Sequence, residues 1–277
     1  LSMVFQFEHI VLDQQGFEKW DLAPLSMGEL KRVIAKWQRE LNGQGWNSLF
    51  WNNHDLPRIV SRWGNDGAYR VESAKMLATV LYGLQGTPFL YQGEELGMTN
   101  APYALDEYKD IEIVNLISEW RELGISDAQL TESIHAKGRD NARTPMHWDA
   151  TEKAGFTTGE PWLKINPNHA EINAADQVGR EDSVFSYYKK LIALRKREEV
   201  ICNGSYEEIF PSREDLFAYI RDDGKTQLTV VANFTENTIS FPMAKLKRAG
   251  KLEICNYPDA PVNGQLRPYE ARIYIKK

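Results

Sequence analysis

The residues best suited to chemistry follow a short apolar run in the first quarter of the chain. The run Ser48–Trp51 predicts a short buried strand, and the sequence then turns polar, with His54 and Asp55 close behind it. Pro57 rules out a simple continuation as a central strand. An imidazole and a carboxylate placed after a buried strand occupy the position of catalytic side chains in a (β/α) barrel. The same residues could instead cap the following helix, because Asp is a favoured N-cap residue.

Strands and helices alternate around this segment and must position it. Residues 3–8 predict a strand, and Ser26 is a suitable N-cap for a helix whose apolar positions fall at helical spacing. Residues 70–85 predict a second helix, and Pro88–Tyr91 another short buried strand. Short apolar strands that alternate with helices are typical of a parallel sheet covered by helices, so the fold class is α/β.

The rest of the chain divides into three parts. Residues 97–180 are too long for an ordinary connection and predict a loop subdomain, with helices near 109–122 and 126–136. Ser183–Arg197 predicts the last helix of the α/β part, which spans residues 1–200. Residues 204–277 predict an all-β, sandwich-like domain, because short β-rich runs alternate there with turn signals. These runs are Tyr206–Phe210, Leu216–Arg221, Leu228–Asn233, Thr238–Phe241, Lys251–Asn256 and Ala271–Ile275.

Composition narrows the class of function. The chain has 33 basic and 39 acidic residues, a net charge of −6 that argues against a nucleic-acid partner. Its 8 Trp and 12 Tyr suit stacking on sugar faces, although most aromatic side chains of a globular protein lie in the core. Cys202 and Cys255 have no metal-ligand spacing and fit a reducing cytoplasm. The sequence predicts neither a signal peptide nor a membrane span.

Several motifs together resemble one family. FWNNHDLPR (50–58) resembles the fourth signature region of the alpha-amylase family of glycoside hydrolases, in its oligo-1,6-glucosidase and alpha-glucosidase branch. Five further segments resemble the same branch in the same order: GTPFLYQGEELGM (86–98), GRDNARTPMHWD (138–149), AGFTTGEPW (154–162), ANF (232–234) and LRPYEA (266–271). The resemblance covers essentially the whole chain. It implies the carboxyl-terminal portion of a (β/α)8 TIM barrel followed by the β domain.

The resemblance assigns roles to residues near the predicted strand ends. It implies that Asp55 is the carboxylate that stabilises the transition state, with His54 as its partner in binding the sugar. It further implies that an arginine of the RDNARTPM segment reaches the non-reducing glucose and makes the enzyme exo-acting. Arg143, beside Thr144-Pro145, is the first choice and Arg139 the second. Each arginine could instead pair with Asp140 or Asp149 and organise the loop.

Roles are also expected for other polar residues near the predicted strand ends. Glu8 and His9, at the end of the first predicted strand, are expected to line the pocket. Asn53 and Arg58 could line its mouth or serve the structure. Glu94 and Glu95 also follow a strand, but the family pattern makes them neither acid nor nucleophile, so we expect structural roles.

Retaining glycoside hydrolysis needs a nucleophile and an acid/base carboxyl about 5–5.5 Å apart. In the family both lie on earlier strands, so the resemblance implies that they precede residue 1 and that this chain is a fragment. The expected partners are an oligosaccharide and either the missing half of the barrel or a second copy of the chain, because an open sheet edge invites pairing. The resemblance implies no metal and no cofactor here.

The specificity stays open at this stage. Leu56, where many relatives carry Gln, favours a dextran-glucosidase style and hydrolysis of α-1,6 bonds. An α-1,4-glucosidase or a trehalose-6-phosphate hydrolase of the same family is the alternative, although the sequence declares no cationic site for a phosphate. An alternative outside the enzymes is that this chain is a catalytically inactive fragment or a sugar-binding remnant.

Overall fold

The α/β part of the chain is built on a parallel sheet. The computed structural model describes residues 2–16, 18–242, 250–259, 261–262 and 264–277. Strand β2 lies between β1 and β3, and both pairings are parallel, as predicted. In chain order the elements are β1 (Met3–Val4), α1 (Met27–Glu40), β2 (Trp46–Leu49), α2 (Ile59–Trp63), α3 (Arg70–Tyr82) and β3 (Thr87–Pro88).

Local chemistry sets the limits of these elements. Helix α1 begins as predicted, where the Ser26 hydroxyl accepts a hydrogen bond from the Glu29 N–H at 3.3 Å. The first strand is shorter than predicted, because only Met3 and Val4 pair with β2, and a 3₁₀ helix follows at Glu8–Val11. Strand β3 also ends early, at Pro88, although the Phe89 N–H still donates to the Leu49 carbonyl of β2 at 2.7 Å.

The segment 97–180 forms helices over a small core of its own. Trp20 joins that core with side chains of the segment, among them Tyr103, Ile113, Leu130 and Ile134. The two predicted helices are confirmed as α4 (Ile111–Glu122) and α5 (Asp127–Lys137). They are followed by α6 (Asp140–Arg143), α7 (Ala174–Gln177), α8 (Val184–Arg197) and α9 (Val200–Asn203).

Antiparallel strands follow from residue 205 onward. They are β4 (Ser205–Ile209), β5 (Leu216–Asp222), β6 (Gln227–Asn233), β7 (Ile239–Ser240), β8 (Lys251–Cys255), β9 (Gln265–Leu266) and β10 (Ala271–Lys276). One sheet has the order β4-β5-β6-β10-β8, and β7 pairs with β9 in another. The six predicted β-rich runs coincide with strands, whereas β9 was not predicted.

The larger antiparallel sheet packs on both of its faces. Leu216 and Ala218 of β5 lie in a core shared with β7 and β9. The alternate residues Phe217 and Tyr219 lie in the core formed with the helices of the α/β part. The Tyr219 hydroxyl donates to the Val80 carbonyl of α3 at 2.7 Å. The helices and the antiparallel sheet therefore share one hydrophobic core.

A buried ionic cluster joins the 97–180 segment to the α/β part. Asp13 accepts two hydrogen bonds of 2.7 Å from Arg62 of α2 and one of 2.9 Å from the Trp63 indole. It also pairs with Lys137 at the end of α5. Burial by itself raises the pKa of Asp13, but the hydrogen bonds and charges of Arg62 and Lys137 outweigh it and lower the pKa to about 2.

We expect Asp13→Asn to lower the free energy of unfolding by about 3 kcal/mol near neutral pH, since it leaves two buried cations without their counter-ion. The wild-type contribution is present above the unfolded pKa of about 4 and is lost as the pH falls toward 2. Urea unfolding between pH 2.5 and 7 measures both effects. Asp127→Asn, which breaks the exposed pair with Arg121, is the control and should leave the midpoint unchanged. Equal midpoints for wild type and Asp13→Asn at pH 7 would contradict the account.

Candidate active site

The loop after β2 presents His54 and Asp55 to solvent. Their side chains are 70% and 50% exposed, and His54 Nε2 lies 3.2 Å from Asp55 Oδ2. Asn53 shapes the loop, because its Oδ1 accepts a hydrogen bond of 2.8 Å from the Asp55 N–H. Helix α2 begins only at Ile59 and has no side-chain N-cap. The alternative that Asp55 caps this helix is therefore wrong, and its carboxylate is free for other partners.

Two arginines from the 97–180 segment reach that carboxylate. Arg143 Nη2 donates to Asp55 Oδ1 at 2.8 Å, while its Nε donates to the His54 carbonyl, also at 2.8 Å. Arg139 Nη1 lies 3.5 Å from the same Asp55 oxygen. The structure thus brings together four of the predicted site residues, which lie up to 89 positions apart in the sequence.

The two arginines differ in their main partner. Arg139 is bound chiefly by Asp110, the N-cap of α4, through its Nε and through an Nη2 contact of 2.8 Å. The Asp110 hydrogen bond raises the pKa of Arg139 above its ordinary value. The alternative loop partners are wrong for both arginines, because Asp140 accepts backbone N–H groups of Lys109 and Asp110, and Asp149 accepts from Thr151. Arg143 is the arginine committed to the His54–Asp55 loop.

The expectation for Glu8 and His9 is corrected. The 3₁₀ turn that follows β1 places the Glu8 carboxylate 2.7 Å from the Lys36 ammonium of α1. The same turn buries His9 against the rings of Phe50, Trp51 and Trp63. Burial, together with the Arg62 charge, lowers the pKa of His9 to about 3, so the ring is neutral. The structure does not bring these two side chains to the Asp55 cluster.

A largely apolar pocket with a volume of about 400 Å³ lies beside His54. Phe5 and Phe7 line it and are 48% and 51% exposed. The Phe5 ring lies 4.7 Å from that of Phe89, centroid to centroid. The other lining residues are Phe50, Asn52, Asn53, His54, Phe89, Leu90 and Tyr91. The charged cluster around Asp55 therefore lies beside a pocket lined largely by aromatic side chains.

Glu94 and Glu95 hold the turn after β3. The Glu94 carboxyl is buried and accepts hydrogen bonds of 3.3 Å from the Tyr91 N–H and the Tyr188 hydroxyl. Glu95 accepts from the Gly93 N–H at 2.8 Å. Burial raises the pKa of Glu94 to about 8. These contacts are structural, as expected for both residues.

The raised pKa of Glu94 makes stability depend on pH. Between the unfolded pKa of about 4 and the folded pKa of about 8, the folded chain keeps a proton that the unfolded chain releases. Stability should therefore fall as the pH rises, by at most about 1.4 kcal/mol per pH unit from this group. In urea unfolding, the free energy of unfolding of Glu94→Gln should rise relative to that of wild type from pH 5 to pH 8. That of the control Glu119→Gln, at an exposed position, should not. A difference between Glu94→Gln and wild type that stays constant with pH would contradict this.

Two contributors to the site gave little signal in the sequence. Asp110 precedes a helix and reads as a cap, and nothing in its neighbourhood indicates a pairing with Arg139, 29 residues away. Arg58 was expected either to line the pocket mouth or to have a structural role, and its side chain is buried.

In the described part of the chain, no group of three or more His, Cys, Asp or Glu side chains is placed to hold a metal ion. No described helix is long and apolar enough to cross a membrane.

Comparisons with known proteins agree on one family. The family model for the alpha-amylase catalytic domain matches residues 1–204. The oligo-1,6-glucosidase of Bacillus cereus is 51% identical over 100% of this chain and 51% of its own length. The trehalose-6-phosphate hydrolase of Bacillus subtilis (strain 168) is 45% identical over 99% of this chain and 50% of its own. The crystal structure of Bacillus licheniformis trehalose-6-phosphate hydrolase superposes with a TM-score of 0.94 at 43% identity, covering 99% of this chain and 51% of that one.

These matches define the class. The parallel sheet places an imidazole and a carboxylate after β2, and the 97–180 segment adds a guanidinium to them. The chain belongs to the alpha-amylase family. It spans about half the length of the curated relatives that it matches.

Proposed function

We propose that this chain is part of a retaining, exo-acting α-glucosidase that hydrolyses α-1,6 bonds of isomalto-oligosaccharides. The observation that carries the proposal is the contact of Arg143 with both Asp55 and the His54 carbonyl, at 2.8 Å each. The 51% identity to the Bacillus cereus oligo-1,6-glucosidase supports the linkage.

Asp55 and His54 act on the sugar at the cleaved bond. As the glycosidic bond breaks, positive charge develops on an oxocarbenium-like ring, and a carboxylate that binds the ring hydroxyls stabilises it. The half-exposed Asp55 carboxylate, held by Arg143, has a second oxygen beside His54. The imidazole and this oxygen can bind neighbouring hydroxyls as the ring flattens, so their contribution is larger in the transition state than in the ground state.

Arg143 and Arg139 close the outer end of the pocket. A guanidinium has five donors in a fixed plane, and two donors of Arg143 are used by the His54–Asp55 loop. The remaining donors can bind the hydroxyls of a terminal glucose. Arg139, held mainly by Asp110, is the second residue of this wall. Closing the pocket behind one terminal residue makes the hydrolysis exo-acting.

The nucleophile and the acid/base are supplied from outside residues 1–277. Glu94 and Glu95 are committed to the turn after β3, and Glu8 to Lys36, which supports this assignment. The exposed aromatic pocket beside His54 also supports a contribution from outside residues 1–277, because contiguous apolar surface is a site of association. We propose that the half of the protein that the relatives have and this chain does not cover binds there and completes the barrel. In its absence a second copy covers the face, and a monodisperse monomer in sedimentation velocity would contradict that.

The domain assignment follows the same proposal. Residues 1–200 form the carboxyl-terminal portion of a (β/α)8 barrel, with residues 97–180 as a loop subdomain beside its active site. Residues 204–277 form an all-β, sandwich-like domain. The end of the family match at residue 204 supports this boundary. The two free thiols, Cys202 and Cys255, support a cytoplasmic location.

The test uses an assembled enzyme, in which residues 1–277 are joined to the half of the Bacillus cereus oligo-1,6-glucosidase that they do not match. We expect it to release glucose from isomaltose faster than from maltose or trehalose 6-phosphate at equal concentration. Preferred hydrolysis of trehalose 6-phosphate would instead favour the activity named for the Bacillus subtilis relative. An assembled enzyme that folds but acts on none of the three would contradict the proposal.

A further inference from the structure

Arg58 is a buried cation whose hydrogen bonds go to neutral groups. Its side chain is among the largest fully buried ones and is 1% exposed. Nη1 donates to the Gln92 carbonyl at 2.5 Å, Nε to the Asn141 carbonyl at 3.1 Å, and Nη2 to the Thr144 hydroxyl at 3.4 Å. No carboxylate lies within salt-bridge distance of this guanidinium in the described part of the chain. The desolvation of this charge outweighs the attraction of the Glu95 and Glu94 carboxylates nearby, so keeping an arginine here costs stability.

The partners of Arg58 point to a reason for keeping it. Asn141 and Thr144 stand two positions before and one position after Arg143, so both hydrogen bonds hold the short segment that carries the site arginine. On its own side, Arg58 follows Asp55 by three positions. Its backbone N–H donates to Asn100 Oδ1 at 2.9 Å, which anchors it to the start of the 97–180 segment. A single planar group thus spans the loop that carries Asp55 and the loop that carries Arg143.

We propose that Arg58 is a positioning residue that fixes Arg143 against Asp55. It touches no substrate. Its fork sets the distance between two loops whose side chains meet at the site through the contacts of Arg143 and Arg139 with His54 and Asp55. The proposal rests on the proposed function for its effect on turnover, whereas its effect on geometry is independent of that function.

Lysine cannot replace this group. Its ammonium is a point donor on a flexible stem and cannot reach the Gln92 carbonyl, the Asn141 carbonyl and the Thr144 hydroxyl in one plane. Arg58→Lys therefore keeps the charge and loses the geometry. Arg70→Lys is the control, because Arg70 is partly buried and its guanidinium donates, within the described part of the chain, to the carbonyls of Leu96 and Gly97 at 3.1 and 3.0 Å.

The geometric test uses residues 1–277 alone and needs no activity. With arginine labelled at Nε with ¹⁵N, the Nε–H signal of Arg143 is assigned by its loss in Arg143→Lys. In wild type the hydrogen bond to the His54 carbonyl should slow its exchange with water. Arg58→Lys should speed that exchange at least about tenfold, whereas Arg70→Lys should leave it unchanged. Unchanged exchange in a folded Arg58→Lys variant would overturn the proposal.

The functional test uses the assembled enzyme. Arg58→Lys should lower kcat/KM about tenfold or more, and Arg70→Lys should not lower it. In an Arg143→Ala background the Arg58→Lys change should cost nothing further, because it acts through the arginine already removed. An additive loss would overturn the proposal. If wild type shows no turnover while the exchange result holds, the proposed function fails and the positioning role stands.

A second variant covers the case in which Arg58→Lys does not fold. Thr144→Val keeps the shape of a buried residue and removes only the hydroxyl that accepts from Arg58 and donates to the Asn141 carbonyl. It should speed the exchange of the Arg143 Nε–H in the same direction, by a smaller factor. No change in that exchange would overturn the proposal.

Discussion

Asp55→Asn in the assembled enzyme is expected to lower kcat by about 10²–10³-fold, with a much smaller change in KM. Asparagine keeps the size of the side chain and removes the negative charge. The charge matters most when the sugar ring becomes positive, so its loss raises the barrier more than it weakens ground-state binding. The exposed position of the carboxylate and its contact with Arg143 give no reason to expect loss of folding.

Asp127→Asn provides the control for this experiment. It removes the same charge from an exposed aspartate that pairs with Arg121 on the 97–180 segment and contacts none of the site residues. Its kcat on isomaltose or para-nitrophenyl α-glucoside should equal that of wild type. An Asp55→Asn variant that keeps kcat within about threefold would contradict the role given to this carboxylate.

Arg143→Lys is expected to lower kcat/KM about 10- to 100-fold, with part of the loss in KM. Two charge-assisted hydrogen bonds fix the guanidinium to the His54–Asp55 loop, and at this half-exposed position each contributes about 1 kcal/mol. Lysine can make one of them and cannot present a plane of further donors to glucose. The effect should grow for short substrates, in which the terminal glucose is a larger share of the binding surface.

Arg139→Lys is the matched variant. It lies beside the same carboxylate at 3.5 Å, but its strongest bonds go to Asp110. We expect a smaller loss of kcat/KM than for Arg143→Lys, together with a lower unfolding midpoint, because Asp110 caps α4. A larger loss of kcat/KM for Arg139→Lys than for Arg143→Lys would reverse the assignment of the two arginines.

The order of the elements could be predicted because it depends on local signals. Ser26 and Ser183 cap α1 and α8, and the apolar positions of α1 face the core at helical spacing. Strands β1 and β3 were predicted too long, and β2 was predicted two residues too far along the chain, at Ser48–Trp51 instead of Trp46–Leu49. Whether an extended residue belongs to a ladder depends on its neighbours in space, which the sequence does not display.

The site was predictable only in part, for a related reason. Nothing local connects Arg143 with Asp55, 88 positions away, and only the resemblance to a family brought them into one hypothesis. The alternative partners proposed for the arginines, Asp140 and Asp149, were near in sequence, whereas the observed partner Asp110 is distant. The same holds for Asp13 and Lys137, which are 124 positions apart. Glu8 and His9 were misassigned because a 3₁₀ turn follows β1, and that turn decides where both side chains point.

We propose that Asp55 is the transition-state carboxylate and that the nucleophile and the acid/base are supplied from outside residues 1–277. The most direct test is hydrolysis of para-nitrophenyl α-glucoside by this chain alone and by the assembled enzyme, each as wild type and as Asp55→Asn. We predict no turnover by the chain alone and turnover by the assembled enzyme that Asp55→Asn largely abolishes. Hydrolysis by the chain alone that is lost on Asp55→Asn would mean that it holds a complete set of catalytic carboxylates, and would contradict this account.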